Sequence, residues 1–343
     1  MSEPVTDCAG AGDWRKPGPL PSGTRPNDLT DQQMGKVYCF TAATDYFCSM
    51  PRYWLPVLLL LLHVLPLSAQ PAMERDSLPA RNAGPLIAAG VGYAATMTYL
   101  STTWYDGETT SFHFFNDNAQ WKQMDKAGHF YAGYIFSHGL YHMWPARTGD
   151  DRKKALYASL TGFLMLVPVE VLDGFSSEYG ASAGDLLADA GGALFFYGQQ
   201  AGWGEQRIVP KFSFYPGDLA ALRPNVLGNG PGEEWLKDYN GQTYWLALDI
   251  AKLAPGSRWP GWLTVDLGYG ADGMVYARDY ENEAAGYENY RQYYLAPGIN
   301  FMHWKGKNKL LNTALYLLNL LKVPAPTLEM NGREGAKFHF LFF

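Results

Sequence analysis

From Pro85 to Trp203 the chain runs in long apolar stretches separated by short polar breaks. Beyond Asn240 the apolar positions fall on every second residue. The first pattern predicts helices and the second predicts strands. Four segments carry the helical pattern: Pro85 to Trp104, Ala127 to Trp144, Ala155 to Val169, and Leu186 to Trp203, the last broken only by Asp189. The first holds no charged residue, and its small residues Ala88, Gly92 and Thr96 recur every four positions, which lets another helix approach closely. Each segment is near the ~20 residues that a bilayer crossing needs. The pattern therefore predicts a four-helix bundle associated with a membrane, either spanning it or packed tightly beside it. The basic cluster Arg147, Arg152, Lys153 and Lys154 would place its loop in the cytoplasm.

Residues 205–240 are dense in Gly and Pro and read as a linker. In 241–343, Tyr244, Leu246, Leu248 and Ile250 alternate with Thr243, Trp245, Ala247 and Asp249, and Leu263, Val265, Leu267 and Tyr269 alternate with Thr264, Asp266 and Gly268. Tyr293 to Phe301 is a third candidate strand, which Pro297 moves towards an edge. Lys309 to Lys322 has a helical pattern, and Phe338, Phe340 and Phe342 mark a last strand. A closing aromatic strand is a feature of outer-membrane barrels, but these strands fall short of the roughly eight that such a barrel requires. The expected fold is α+β: a helical unit over 70–204, then a small antiparallel sheet.

The N-terminal part changes the picture of location. Met50-Pro-Arg-Tyr-Trp, the leucine-rich run to Leu67 and Ser68-Ala69-Gln70 have the parts of a secretory signal peptide over 50–69, with cleavage expected after Ala69. Residues 1–49 lack periodicity and read as a non-native or disordered leader, Met50 being the expected initiator. All three cysteines, Cys8, Cys39 and Cys48, precede Met50. The exported chain is thus expected to have no disulfide, thiolate metal site or lipid-bearing cysteine. A net charge of −6 with no basic run argues against nucleic acid as a partner and leaves membrane lipid or another envelope component.

Candidate chemistry lies in the helical half. Asp125 and His129 share a helix face at i and i+4, beside Lys126, so Asp125 can polarise the imidazole or simply cap its helix. Glu170 and Asp173 close an apolar helix at the end where the macrodipole disfavours negative charge, which calls for a cation opposite them or access to water. Ser182 and Asp185 fit a capping box, and Asp189 follows one turn deeper at a spacing where two carboxylates repel unless they share a cation. Two uses follow. Asp125, Lys126, Glu170, Asp173, Ser182 and Asp185 form a helix-locking network. Alternatively Asp125, His129, Glu170, Asp185 and Asp189 ligate a divalent metal, with His129, Glu170 and Asp173 as acid/base residues. Oxygen-rich sets suit Mg²⁺, Ca²⁺ or Mn²⁺, and a histidine admits zinc or iron. His138 and His142 read as core or interfacial residues.

Asp125-Lys-Ala-Gly-His-Phe130, Val169-Glu170 through Asp173-Gly-Phe-Ser176, and Ser182 through Asp185 to Gly191-Gly-Ala193 resemble a bacterial envelope family, the YfiM-like predicted periplasmic lipoproteins. Gly241 to Leu246 and Trp259 to Leu263 are similar to its longer members. The Asp-Lys-x-x-His, Glu and Ser-x-x-Asp order more distantly resembles VanZ-type membrane proteins. The resemblance implies an envelope location and no established reaction. The expectation is an exported envelope protein with a structural or accessory role around the buried network. The alternative is a hydrolase acting on a lipid-linked or cell-wall substrate.

Overall fold

The computed structural model describes residues 83–104, 109–143 and 150–343. The expected leader, the signal peptide and the loop residue Arg147 lie outside the described residues. Four long helices come first: α1 (Ala83–Trp104), α2 (Met124–Met143), α3 (Asp151–Gly174) and α4 (Ala183–Trp203). Asp150 starts α3 by accepting the Arg152 and Lys153 amides at 2.9 and 3.3 Å. The helix continues through Pro168 and ends, as its glycine predicts, at Gly174.

Helices α2, α3 and α4 pack against one another. Gly133 of α2 faces the Asp189 backbone and Gly192 of α4 faces the Phe130 carbonyl, with no room for a Cβ at either point. These two glycines bring the α2 and α4 backbones into direct contact. Tyr134, Ala155 and Phe196 fill the core between the three helices. The expected four-helix bundle is corrected to a three-helix core: α1 is outside it, attached through bonds such as Tyr93 Oη to the Met165 carbonyl at 2.7 Å. Among the described residues only α3 is long and apolar enough to cross a membrane. Helix α2 carries Asp125 and Lys126 and α4 carries Asp185 and Asp189, while α1 has no charge but is rich in Gly, Ala and Thr.

The second half forms one antiparallel sheet in which each strand pairs with the next: β1 (Ile208–Phe214), β2 (Gln242–Leu248), β3 (Leu263–Asp272), β4 (Tyr290–Ile299), β5 (Ala325–Asn331) and β6 (Gly335–Phe342). Helix α5 (Lys309–Asn319) stands between β4 and β5. The stretch 205–240 contains β1 and short helical turns at Pro224–Leu227 and Pro231–Lys237.

In a flat sheet β2 and β6 would lie roughly 19 Å apart. The Trp245 ring of β2 is 6.2 Å from that of Phe342 on β6, and Tyr215, just past β1, is 5.8 Å from Phe343. The sheet is therefore rolled until its ends meet. Its enclosed face is polar and buried, with Lys211, Asp266, Thr327 and Glu329 beside Trp245 and Tyr294. Its outer face carries a cross-strand row, Leu246, Leu267, Leu295, Leu328 and Phe338, each directly opposite the next and each exposed.

The bundle sits on the β1–β2 side of that outer face, where Tyr131 of α2 packs against Phe212 and Tyr244. The chain enters α2 through a left-handed turn: Trp121, Lys122 and Gln123 have φ of 48°, 51° and 63°. Side chains pay roughly 1–2 kcal/mol per residue in this region. The sheet half holds the turn in place. The Trp121 amide donates to the Ala277 carbonyl at 2.7 Å, Tyr269 Oη donates to the Lys122 carbonyl, and Lys122 Nζ meets Asp279 at 2.8 Å.

Candidate metal centre

Two residues past the left-handed turn, α2 presents Asp125, Lys126 and His129 to the N-terminal turns of α4 and the C-terminal turns of α3. Lys126 Nζ is the first hub. It lies 2.7 Å from Asp117, 2.7 Å from Asp185 and 3.1 Å from Asp125. These acids raise its pKa against the opposing effect of burial. Tyr239, from the turn before β2, donates to Asp125 Oδ1 at 2.8 Å. Burial pushes the Asp125 carboxyl up, but the charges of His129 and Lys126 outweigh it and hold the group below its usual range.

Ser182 caps α4. Its hydroxyl accepts the Gly184 and Asp185 amides at 3.1 and 3.2 Å and donates to Asp117 Oδ1 at 2.7 Å. The reciprocal half of the expected capping box differs: the Ser182 amide donates to Glu170 Oε2 at 2.9 Å, while Asp185 turns to Lys126. Glu170 thus meets the positive end of α4, which answers the unfavourable placement of an acid at the end of α3.

His129 is the second hub. Its Nδ1–H donates to Asp189 Oδ1 at 3.1 Å. A carboxylate accepts only, so the bond fixes the proton on Nδ1 and aims Nε2 the other way. Nε2 lies 3.8 Å from each of three oxygens: Asp125 Oδ1, Glu170 Oε1 and Asp185 Oδ1. Two overlapping ligand sets result, Asp125–His129–Asp185 and His129–Glu170–Asp189, with ligand atoms within 4.8 Å of one another in each. Around a four-coordinate ion, bonds of ~2.1 Å put neighbouring ligand atoms roughly 3.4 Å apart. The three 3.8 Å separations from Nε2 exceed this by a few tenths of an ångström, while the ligand atoms of each set are gathered to within 4.8 Å.

The charges do not balance by themselves. Asp117, Asp125, Glu170, Asp185 and Asp189 surround two basic groups, Lys126 and His129. Burial opposes a charge on His129, yet its carboxylate neighbours lift its pKa to about 10. Burial also raises Glu170 and Asp189, and it raises Asp185, next to Asp125, to about 8. Glu170 is 2 % exposed and Asp189 0 %, and Glu170 Oε1 and Asp189 Oδ2 have no hydrogen-bond partner. A buried acceptor without a partner costs about 1–3 kcal/mol, more when charged.

Of the residues singled out from the sequence, Asp125, Lys126, His129, Glu170, Ser182, Asp185 and Asp189 converge. Asp173 is not in either ligand set. The sequence reading missed Asp117 and Tyr239. His138 and His142 form a separate pair, their Nε2 atoms 3.1 Å apart, packed on Phe196 and Tyr316.

Residues 113–198 match the model of a family described as predicted periplasmic lipoprotein (DUF2279). The matched stretch contains every acid and base of the two hubs and none of the sheet. Its description agrees with the exported, envelope-located protein that the signal peptide predicts. No curated protein and no solved structure matches the chain.

Proposed function

We propose that this exported envelope protein is an accessory, non-catalytic component whose helical core is locked by a divalent cation bound at His129. The observation that carries the reading is the trio of carboxylate oxygens, from three different segments, at 3.8 Å from one imidazole nitrogen. An ion there would take Nε2 with Asp125, Glu170 and Asp185 as ligands. Asp189 would orient the ring from behind, the usual role of a carboxylate behind a metal-bound histidine. The ion would also supply the positive charge that the buried carboxyl groups lack. A mixed set of one nitrogen and several oxygens suits Zn²⁺, Mn²⁺ or Fe²⁺.

A locking role is favoured over catalysis by burial. Glu170, Asp185 and Asp189 side chains are 3 %, 6 % and 0 % exposed, so a substrate atom has little access to them. Binding to three helices at once would convert cation affinity into folding stability.

The test is thermal unfolding of chelator-treated protein with and without Zn²⁺, Mn²⁺, Mg²⁺ or Ca²⁺. Saturation at a hundred times Kd is expected to stabilise the fold by about 2.7 kcal/mol. His129→Ala is expected to abolish the shift. An unshifted transition for every ion, with no metal found by elemental analysis of protein taken from the periplasm, would rule the centre out.

A further inference from the structure

Helix α5 has two apolar faces, and the protein covers one of them. Leu315 and Asn319 are buried, and Tyr316 packs edge-on against His138 and His142, which fixes the helix on the end of α2. The opposite face carries Leu310, Leu311, Leu317 and Leu318 at helical spacing, and Leu321 follows just past the helix end. They are exposed by 80 %, 49 %, 56 %, 47 % and 48 %. A stripe of this kind on a short anchored helix needs an apolar partner.

Charge identifies that partner. No acidic residue occurs between Glu288 and Glu329, although the whole chain has a net charge of −6. Within this window Lys305, Lys307 and Lys309 lead into the helix and are exposed, and none pairs with an acid among the described residues. Trp304, half exposed, stands at the head of the lysines. Lysines, an interfacial tryptophan and a row of leucines on one helix are the features of a segment that lies in the plane of a bilayer surface.

We propose that residues 304–321 dock this protein on an anionic lipid surface. The leucines enter the acyl boundary, and Lys305, Lys307 and Lys309 meet phosphate headgroups. The helix lies on the membrane without crossing it, since eleven residues rise only about 16 Å.

Hydrogen exchange of the full chain, read by mass spectrometry, tests this segment separately from any contribution of the N-terminal region. Vesicles of phosphatidylethanolamine with phosphatidylglycerol are expected to slow exchange across 304–321, and pure phosphatidylcholine vesicles to do so much less. Each lysine is expected to contribute about fivefold to the preference for anionic lipid, so Lys307→Glu with Lys309→Glu should remove most of it. Leu317→Asp is expected to weaken partitioning by at least about tenfold while leaving the thermal transition in place, because the side chain faces outward. Unchanged exchange over 304–321 in the presence of anionic vesicles would overturn the proposal. So would slowing that follows protein concentration without lipid, which would make the face a contact between two copies.

Discussion

Glu170 and Ser182 stand twelve residues apart, and the carboxylate of the first accepts the backbone amide of the second at 2.9 Å. One side chain thus joins the end of α3 to the start of α4 and turns its other oxygen towards His129. Glu170→Ala is expected to destabilise the fold by about 1–3 kcal/mol, because the buried Ser182 amide loses its acceptor. Glu170→Gln keeps an acceptor and should cost less. Urea unfolding of the three proteins decides; equal stability of wild type and Glu170→Ala would contradict the role.

In the proposed centre Asp189 would serve the cation through His129, which it holds at 3.1 Å. Asp189→Asn is expected to weaken divalent binding by about 10–100-fold, measured by calorimetric titration, since an amide no longer enforces the ring's tautomer. An unaltered affinity would show that Asp189 does not set the orientation of His129.

His142 gives an acid-side dependence. Its burial, with Lys305 and Lys154 nearby, lowers its pKa from 6.5 to about 4. The folded state therefore binds this proton less readily than the unfolded state does. The contribution is present above pH 6.5 and is lost as pH falls through 4. Melting temperature should drop over that window, and His142→Gln should flatten the drop. An equally steep profile in the variant would assign the dependence elsewhere.

Inside the rolled sheet Asp266 lies 3.2 Å from Lys322 and 3.9 Å from Lys211. Asp266→Asn would leave two buried ammonium groups without their carboxylate and is expected to cost about 3–5 kcal/mol. Burial lowers Lys211 from 10.5 to about 8, so the cost of its charge is full below pH 8 and is relieved as pH rises towards 10.5. Chemical denaturation of wild type and variant measures the first effect. A change below 1 kcal/mol would mean that water reaches the pair.

The acids of the helical half were legible because they stand among Gly, Ala and Leu, where an ionised group calls for a reason. Asp117 gave no such signal. It sits in the polar run Asn116-Asp-Asn118, where a carboxylate is ordinary, and only folding brings it to Lys126. Tyr239 is 114 residues from Asp125, beyond any local pattern. The strand β1 was hidden by Pro210 and Lys211, and β5 by Pro326 and Glu329. Neither stands out as a strand because the enclosed side of this sheet is the polar one, which inverts the usual sense of alternation. The fourth helix of the expected bundle failed for a different reason: periodicity shows that α1 is a helix but not which neighbour it will find.

The backward-wound residues 121–123 set an order of assembly. Helices α2, α3 and α4 precede β3 and β4 along the exported chain, yet the turn that aims Asp125 is held by Tyr269 and Ala277 from that later half. A nascent chain stopped after α4 would have the helices and lack the alignment. The pocket of charge would close only when the downstream polypeptide arrives to brace its entrance, so its closure would report completion of the whole molecule.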